Sequence, residues 1–177
     1  SNAVTLGSEL TVSGGTDLTL NGLASGAAGL VKEGSGKLTL SGTNLYQGNT
    51  TLNAGTLVLG NAGALGHGRL DVAGSAALES ASALTVGNDV TISGDLTVQG
   101  SDNLTLDGSV TGMGSLTKAG TGTLTLNGGN GFYGTYNVDG GRLVSSTAIT
   151  LGEPSAINVA SGATLQLVAG AATGQLN

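Results

Sequence analysis

Moved 86 places along, the sequence falls on itself: residues 9 to 58 align with residues 95 to 144 without a gap. Leu10-Thr11-Val12 meets Leu96-Thr97-Val98, Leu18-Thr19-Leu20 meets Leu104-Thr105-Leu106, and Lys32 meets Lys118. Further on, Leu38-Thr39-Leu40 meets Leu124-Thr125-Leu126, and Gly55 meets Gly141. After one inserted residue the match resumes, with Leu70-Asp71-Val72-Ala73 against Ile157-Asn158-Val159-Ala160. A shorter period runs inside each copy. Triplets that open on Leu, most of them with an apolar third residue, begin at Leu18, Leu38, Leu57, Leu78, Leu104, Leu124, Leu143 and Leu165. A parallel series runs Leu10, Leu30, Thr51, Leu70, Leu96, Leu116, Asn137, Ile157. Most steps are close to twenty residues, and the one long step in both series crosses Glu79 to Asp95. Periods of this size mark a solenoid.

A triplet such as Leu-Thr-Leu sends Leu to one face and Thr to the other, and the Gly, Asn and Ser around it supply turns, so each triplet reads as a short strand. Helix is disfavoured, because Gly and β-branched residues are spread throughout and no segment sustains a 3.6-residue apolar stripe. One coil of about twenty residues cannot bury its Leu face alone, whereas stacked coils merge those faces into a continuous core. The expected fold is therefore all-β: a right-handed parallel β-helix of about eight coils, roughly 40 Å long at ~4.8 Å per strand spacing. An antiparallel sandwich would accommodate the triplets but not two series in phase. Residues 4–177 read as one domain with repeat copies at about 9–72 and 95–159, and Glu79 to Asp95 as a loop or enlarged coil. Ser1-Asn2-Ala3 reads as a vector-derived scar and is set aside.

The chain has 34 Gly among 177 residues, 9% charged and 2% aromatic residues, and a mean hydropathy of +0.23. That aliphatic content suffices to drive folding where a disordered chain would be poor in Leu and Val. A net charge of -6 argues against nucleic acid or an acidic membrane surface as partner. There is no Cys, which removes disulfide scaffolds and thiolate metal sites. No apolar run approaches ~18 residues, so no membrane insertion by this segment is expected.

The stretch from Gly34 to Leu57, GSGKLTLSGTNLYQGNTTLNAGTL, resembles the passenger-associated transport repeat of autotransporter passenger domains. Gly120 to Leu143 is similar, with Phe132 where the first copy has Tyr46 and Tyr136-Asn137 where it has Thr50-Thr51. The motif positions are Gly34, Gly36, Leu38, Leu40, Asn44, Tyr46, Gly48, Gly55 and Leu57, and in the second copy Gly120, Gly122, Leu124, Leu126, Asn130, Phe132, Gly134, Gly141 and Leu143. The resemblance implies a secreted bacterial β-helix at the cell surface or outside the cell, exported through an outer-membrane barrel carried by the C-terminal part of the same protein. It implies a non-catalytic segment that supports folding and secretion and serves as a stalk. The alternative is an adhesin or self-association module with a host surface ligand.

The residues offer little reaction chemistry. His67, the only His, lies between Gly66 and Gly68, which suggests an exposed turn rather than a metal ligand or general base. The carboxylates are scattered without an Asp-x-Asp pair, which disfavours a carbohydrate-active β-helix enzyme. Gly128-Gly129-Asn130-Gly131 runs into Phe132-Tyr133 rather than a calcium nonapeptide, and no cofactor or metal is expected. Tyr46, Phe132, Tyr133 and Tyr136 all fall near Gly48 and Gly134. They read either as rings covering apolar surface at a coil's edge or as a contact surface.

Overall fold

Alternating Leu and Thr gives each short strand one apolar face, and that face finds cover only when successive coils stack in register. The computed structural model describes residues 3–145 and 151–168, and in them the chain is an all-β solenoid with parallel strand pairings and no helix. Each coil has three sides. Side one is a seven-stranded sheet of Leu10–Val12, Leu30–Lys32, Thr50–Leu52, Leu70–Val72, Val90–Ile92, Val110–Gly112 and Gly131–Phe132. Side two has eight strands and so defines eight coils: Leu18–Leu20, Lys37–Leu40, Gly55–Leu59, Ser75–Ser80, Asp95–Val98, Ser115–Lys118, Thr135–Val138 and Ala156–Val159.

Side three is split. Val4–Thr5, Ala24–Gly26 and Leu45–Tyr46 form a three-stranded sheet, and Leu84–Val86, Leu104–Leu106, Thr123–Leu126, Arg142–Ser145 and Thr164–Leu167 a five-stranded one. Between them residues 61–65 turn instead of pairing as a strand. Hydrogen bonds carry the stack across the gap: the His67 amide donates to the Tyr46 carbonyl at 2.9 Å, and Asn88 Nδ2 donates to the Gly66 carbonyl at 3.0 Å. Inside, Leu38, Leu57, Leu78, Ile92, Leu124 and Leu143 are fully buried members of one continuous core.

The segment from Glu79 to Asp95 is not a loop. Ser75–Ser80, Leu84–Val86 and Val90–Ile92 lie on three successive sides, with Leu78, Val86, Val90 and Ile92 buried like their counterparts elsewhere. The long step arises because each sequence series changes side there. Leu18, Leu38, Leu57 and Leu78 stack on side two, whereas Leu104, Leu124, Leu143 and Leu165 stack on side three. Likewise Leu10, Leu30 and Leu70 belong to side one, and Leu96, Leu116 and Ile157 to side two. At two places the series names an outward neighbour of the true core residue. Thr50, not Thr51, pairs with Leu30 and Leu70, and Tyr136, not Asn137, pairs with Leu116 and Ile157.

The change of side follows from arithmetic. Four coils consume eighty residues, from Leu18 to Val98, through the pairings Leu18 to Leu38, Leu38 to Leu57, Leu57 to Leu78 and Leu78 to Val98. A shift of 86 therefore leaves six residues over, and six residues is the step from Val90 on side one to Leu96 on side two. The second copy is the first carried four coils along the axis and turned by one side.

Leu38→Asp places a charge without a partner in the core and should cost several kcal/mol. Thr39→Asp, on the outward face of the same strand, should cost well under ~1 kcal/mol. Denaturant titration of the two variants checks this, and equal midpoints would refute the inward assignment of Leu38.

Candidate functional site

One corner recurs in both copies: in the first it lies where the chain leaves side one and enters side two, and in the second where it leaves side two and enters side three. Leu30, Val31 and Lys32 form a strand whose first and third residues face inward, so Lys32 occupies a core position and is 1% exposed. Its ammonium compensates by donating to backbone carbonyls of Glu33 at 2.8 Å, Gly34 at 2.8 Å and Ala54 at 3.1 Å. The first two belong to its own turn and the third to the same turn one coil on, so three N–H donors meet three turn acceptors. Lys118 repeats the arrangement, buried and bonded to the carbonyls of Ala119, Gly120 at 3.2 Å and Gly140 at 3.5 Å. Burial lowers the affinity of both amines for a proton.

Gly55 completes the corner. With φ of +73° it sits in the left-handed region, and a Cβ there would fall 2.6 Å from Lys32 Nζ and from the Gly36 carbonyl oxygen. Gly141, at φ +59°, stands in the same relation to the carbonyl oxygen of Gly122, where a Cβ would approach to 2.4 Å. Gly34, Gly36 and Gly48, with Gly120, Gly122 and Gly134, are close-approach positions where backbone of the coil beneath fills the space of a side chain. Leu38, Leu40 and Leu57, with Leu124, Leu126 and Leu143, fill the core.

The other polar element inside is asparagine. Asn44, 3% exposed, accepts from the Ala24 amide at 2.9 Å through Oδ1 and donates to the Ala64 carbonyl at 2.7 Å through Nδ2, tying together the coils before and after its own. Asn130 accepts from the Val110 amide at 3.0 Å in the same way. Its Nδ2 has no partner among the described residues, and the residue one coil on lies in the stretch 146–150, outside them.

The aromatic rings divide. Tyr46, Phe132 and Tyr136 are fully buried, and Tyr133 alone is exposed, beside the exposed Met113 one coil back on the same corner. In the first copy the Tyr46 hydroxyl shares a hydrogen bond of 2.5 Å with Thr50 Oγ1. In the second, Phe132 brings no hydroxyl, and Tyr136 takes the place of Thr50 and packs on Phe132 with ring centroids 4.8 Å apart. The Tyr136 hydroxyl reaches the Leu151 carbonyl at 3.1 Å. Burial raises the pKa of both tyrosines. The departure at Tyr136 is thus one half of a paired exchange inside the core.

In the sequence Lys32 and Lys118 stand out only as matching positions of the two copies. The missed signal was their phase: two residues after an inward Leu30 or Leu116, a lysine must point into the core. His67 is exposed on a polar groove lined also by Gly68, Arg69, Gly87, Asn88 and Asp89, where Arg69 is held by Asp71 at 2.5 Å. Among the described residues no three His, Cys, Asp or Glu side chains are placed to hold a metal ion.

Two comparisons bear on this arrangement. Residues 30–59 and 116–144 match the family model of the passenger-associated-transport-repeat. The chain is also 38% identical over 97 residues to the protein named Adhesin BmaC autotransporter of Brucella suis biovar 1 (strain 1330). That match covers 52% of this chain and 3% of the relative's length. No solved structure matches significantly. Both comparisons thus liken parts of this chain to autotransporter passengers.

If the corner depends on the absence of a side chain, Gly55→Ala should lower stability by about 2 kcal/mol or more, since both φ and space are violated. Gly87→Ala, where a Cβ meets nothing within 4 Å, should change it by less than about 0.5 kcal/mol. Urea unfolding of the two variants side by side makes the comparison, and a benign Gly55→Ala would count against the corner as a steric requirement.

Proposed function

We propose that the chain is a segment of an autotransporter passenger at the cell surface or outside the cell, a non-catalytic folding and secretion element and a stalk, whose repeats make coils that close rapidly as the chain emerges and template the next. One observation carries the reading: what the two copies share lies mostly in the core and at the close-approach corners. Lys32, Gly34, Gly36, Leu38, Leu40, Asn44, Gly48, Gly55 and Leu57 recur unchanged 86 residues on. Of the outward positions 37, 39, 41, 45, 47, 49, 51, 53, 56 and 58, only Thr39 and Val58 recur, as Thr125 and Val144. A binding surface used twice would preserve the outside. The turn of one side between copies points the same way, because a rigid partner docked on one side would meet different parts of the repeat in each. The partner this implies is the outer-membrane barrel at the C-terminal end of the same protein, through which the passenger leaves the cell.

A second reading is favoured by the relative's printed name and by a specific surface feature. Met113 is 82% and Tyr133 54% exposed on one corner, at positions where the first copy has Ala27 and Gln47. Those are additions the repeat does not need for its core, and they suit an adhesin contact to a host ligand or a second cell.

The two readings part under deletion in the protein as its host makes it. Removing residues 38–56 lets Leu57 take the register of Leu38, and removing residues 78–97 lets Val98 take that of Leu78, so each deletion excises one coil and keeps the stack in phase. The first excises most of a repeat and the second only ordinary coil. Surface exposure, measured by protease shaving and normalised to total synthesis, should fall several-fold more for the first. Equal exposure would leave the repeat as plain scaffold and move adhesion ahead.

A further inference from the structure

We propose that each repeat contains a cation site built from turn carbonyls, and that the chain fills it with its own lysine, so that the ammonium group of Lys32 or Lys118, not the bulk of its side chain, closes the corner. The site takes a primary ammonium ion: three acceptors from two consecutive turns converge on one point, and each faces an N–H donor.

Several observations make the site a built one. It occurs twice, on different sides of the solenoid, with the same backbone positions supplying the carbonyls: Glu33, Gly34 and Ala54 in one, Ala119, Gly120 and Gly140 in the other. Both lysines are almost wholly buried, and neither forms an ion pair with a carboxylate among the described ion pairs. A buried charge without a counter-ion persists only where dipoles replace its hydration shell, and carbonyl oxygens are the dipoles present. Side-chain-free Gly55 leaves the room the ammonium occupies, since a Cβ there would collide with Nζ. The carbonyls need the cation as much as it needs them. Turn carbonyls converging at a buried corner repel one another, and without a donor two of successive coils would be pushed apart.

The natural comparison is with an apolar chain of the same length. Were Lys32 a space-filler, any aliphatic group would serve, as replacement of buried charges by hydrophobic residues sometimes shows. The chain contains no cysteine, which permits a direct exchange of one group for the other. Lys32→Cys is alkylated while unfolded, the thiolate sulfur displacing bromide either from 2-bromoethylamine or from 1-bromopropane. The first product carries an ammonium at lysine's reach, and the second a methyl group in its place. Both are refolded and titrated with urea beside the unsubstituted chain, and Lys118→Cys is treated identically.

The aminoethyl product should refold with a midpoint close to that of the unsubstituted chain, and the propyl product should unfold roughly 1 M urea earlier or fail to refold. A propyl product as stable as the aminoethyl one, whether both are restored or both impaired, overturns the proposal. Because alkylation precedes refolding, a variant that cannot fold as free thiol still gives an answer. The result stands apart from the secretion reading, which the coil deletions test separately.

Discussion

Close approach of backbone to backbone at the corners governs this molecule. Parallel ladders on three sides are possible only if each turn settles onto the turn beneath it, and there a side chain would occupy the place of the neighbouring carbonyl. That is why glycine punctuates the sequence and why the inward space at a corner is polar. The ladders satisfy the strands' amides, but the turns leave carbonyls crowded and unpaired. Lys32 and Lys118 answer that need with three donors each, and Asn44 answers it at the next corner of the coil with one donor and one acceptor. The leucine core then follows, since strands fixed in register must place Leu over Leu.

The exchange of Tyr46 and Thr50 for Phe132 and Tyr136 illustrates how the interior tolerates change. A hydroxyl pair is replaced by a ring pair of greater volume, and the one remaining hydroxyl finds a carbonyl further along. Burial and polar satisfaction are both kept while the residues differ. Outside, the couplings differ between the copies: Lys37 bridges to Glu79 two coils away at 2.8 Å, holding that carboxyl below its usual pKa, whereas the counterpart of Lys37 in the second copy is Thr123, which carries no charge. The inside is constrained residue against residue, and the outside is free to diversify.

Much of this was legible beforehand. Period-two triplets recurring every twenty residues specify parallel stacked coils almost uniquely, and the inward phase of Leu38 and Leu124 follows from them. What the sequence concealed was rotation. A reader tracking leucines sees one series jump at Glu79, because Leu78 and Leu104 look alike although they face different sides. Thr50 and Tyr136 were hidden for another reason: a core position filled by a polar or aromatic residue looks like an outward one beside it. Lys32 was hidden by chemistry, since a lysine is ordinarily read as solvated, and only the carbonyls contributed by Glu33, Gly34 and Ala54 reveal why it is not.

The turn of one side between the copies has a consequence for how such a chain can lengthen. If coils were indivisible, duplication would have to insert whole turns, and 86 residues would have broken the stack. Here the break is absorbed, because sides two and three accept the same Leu-Thr-Leu strand, sides one and two the same Leu-Thr-Val strand, and two successive corners the same glycine turn. The unit of growth is then a single strand with its corner, about a third of a circuit, and a gene copied at that finer interval leaves no seam in the rod.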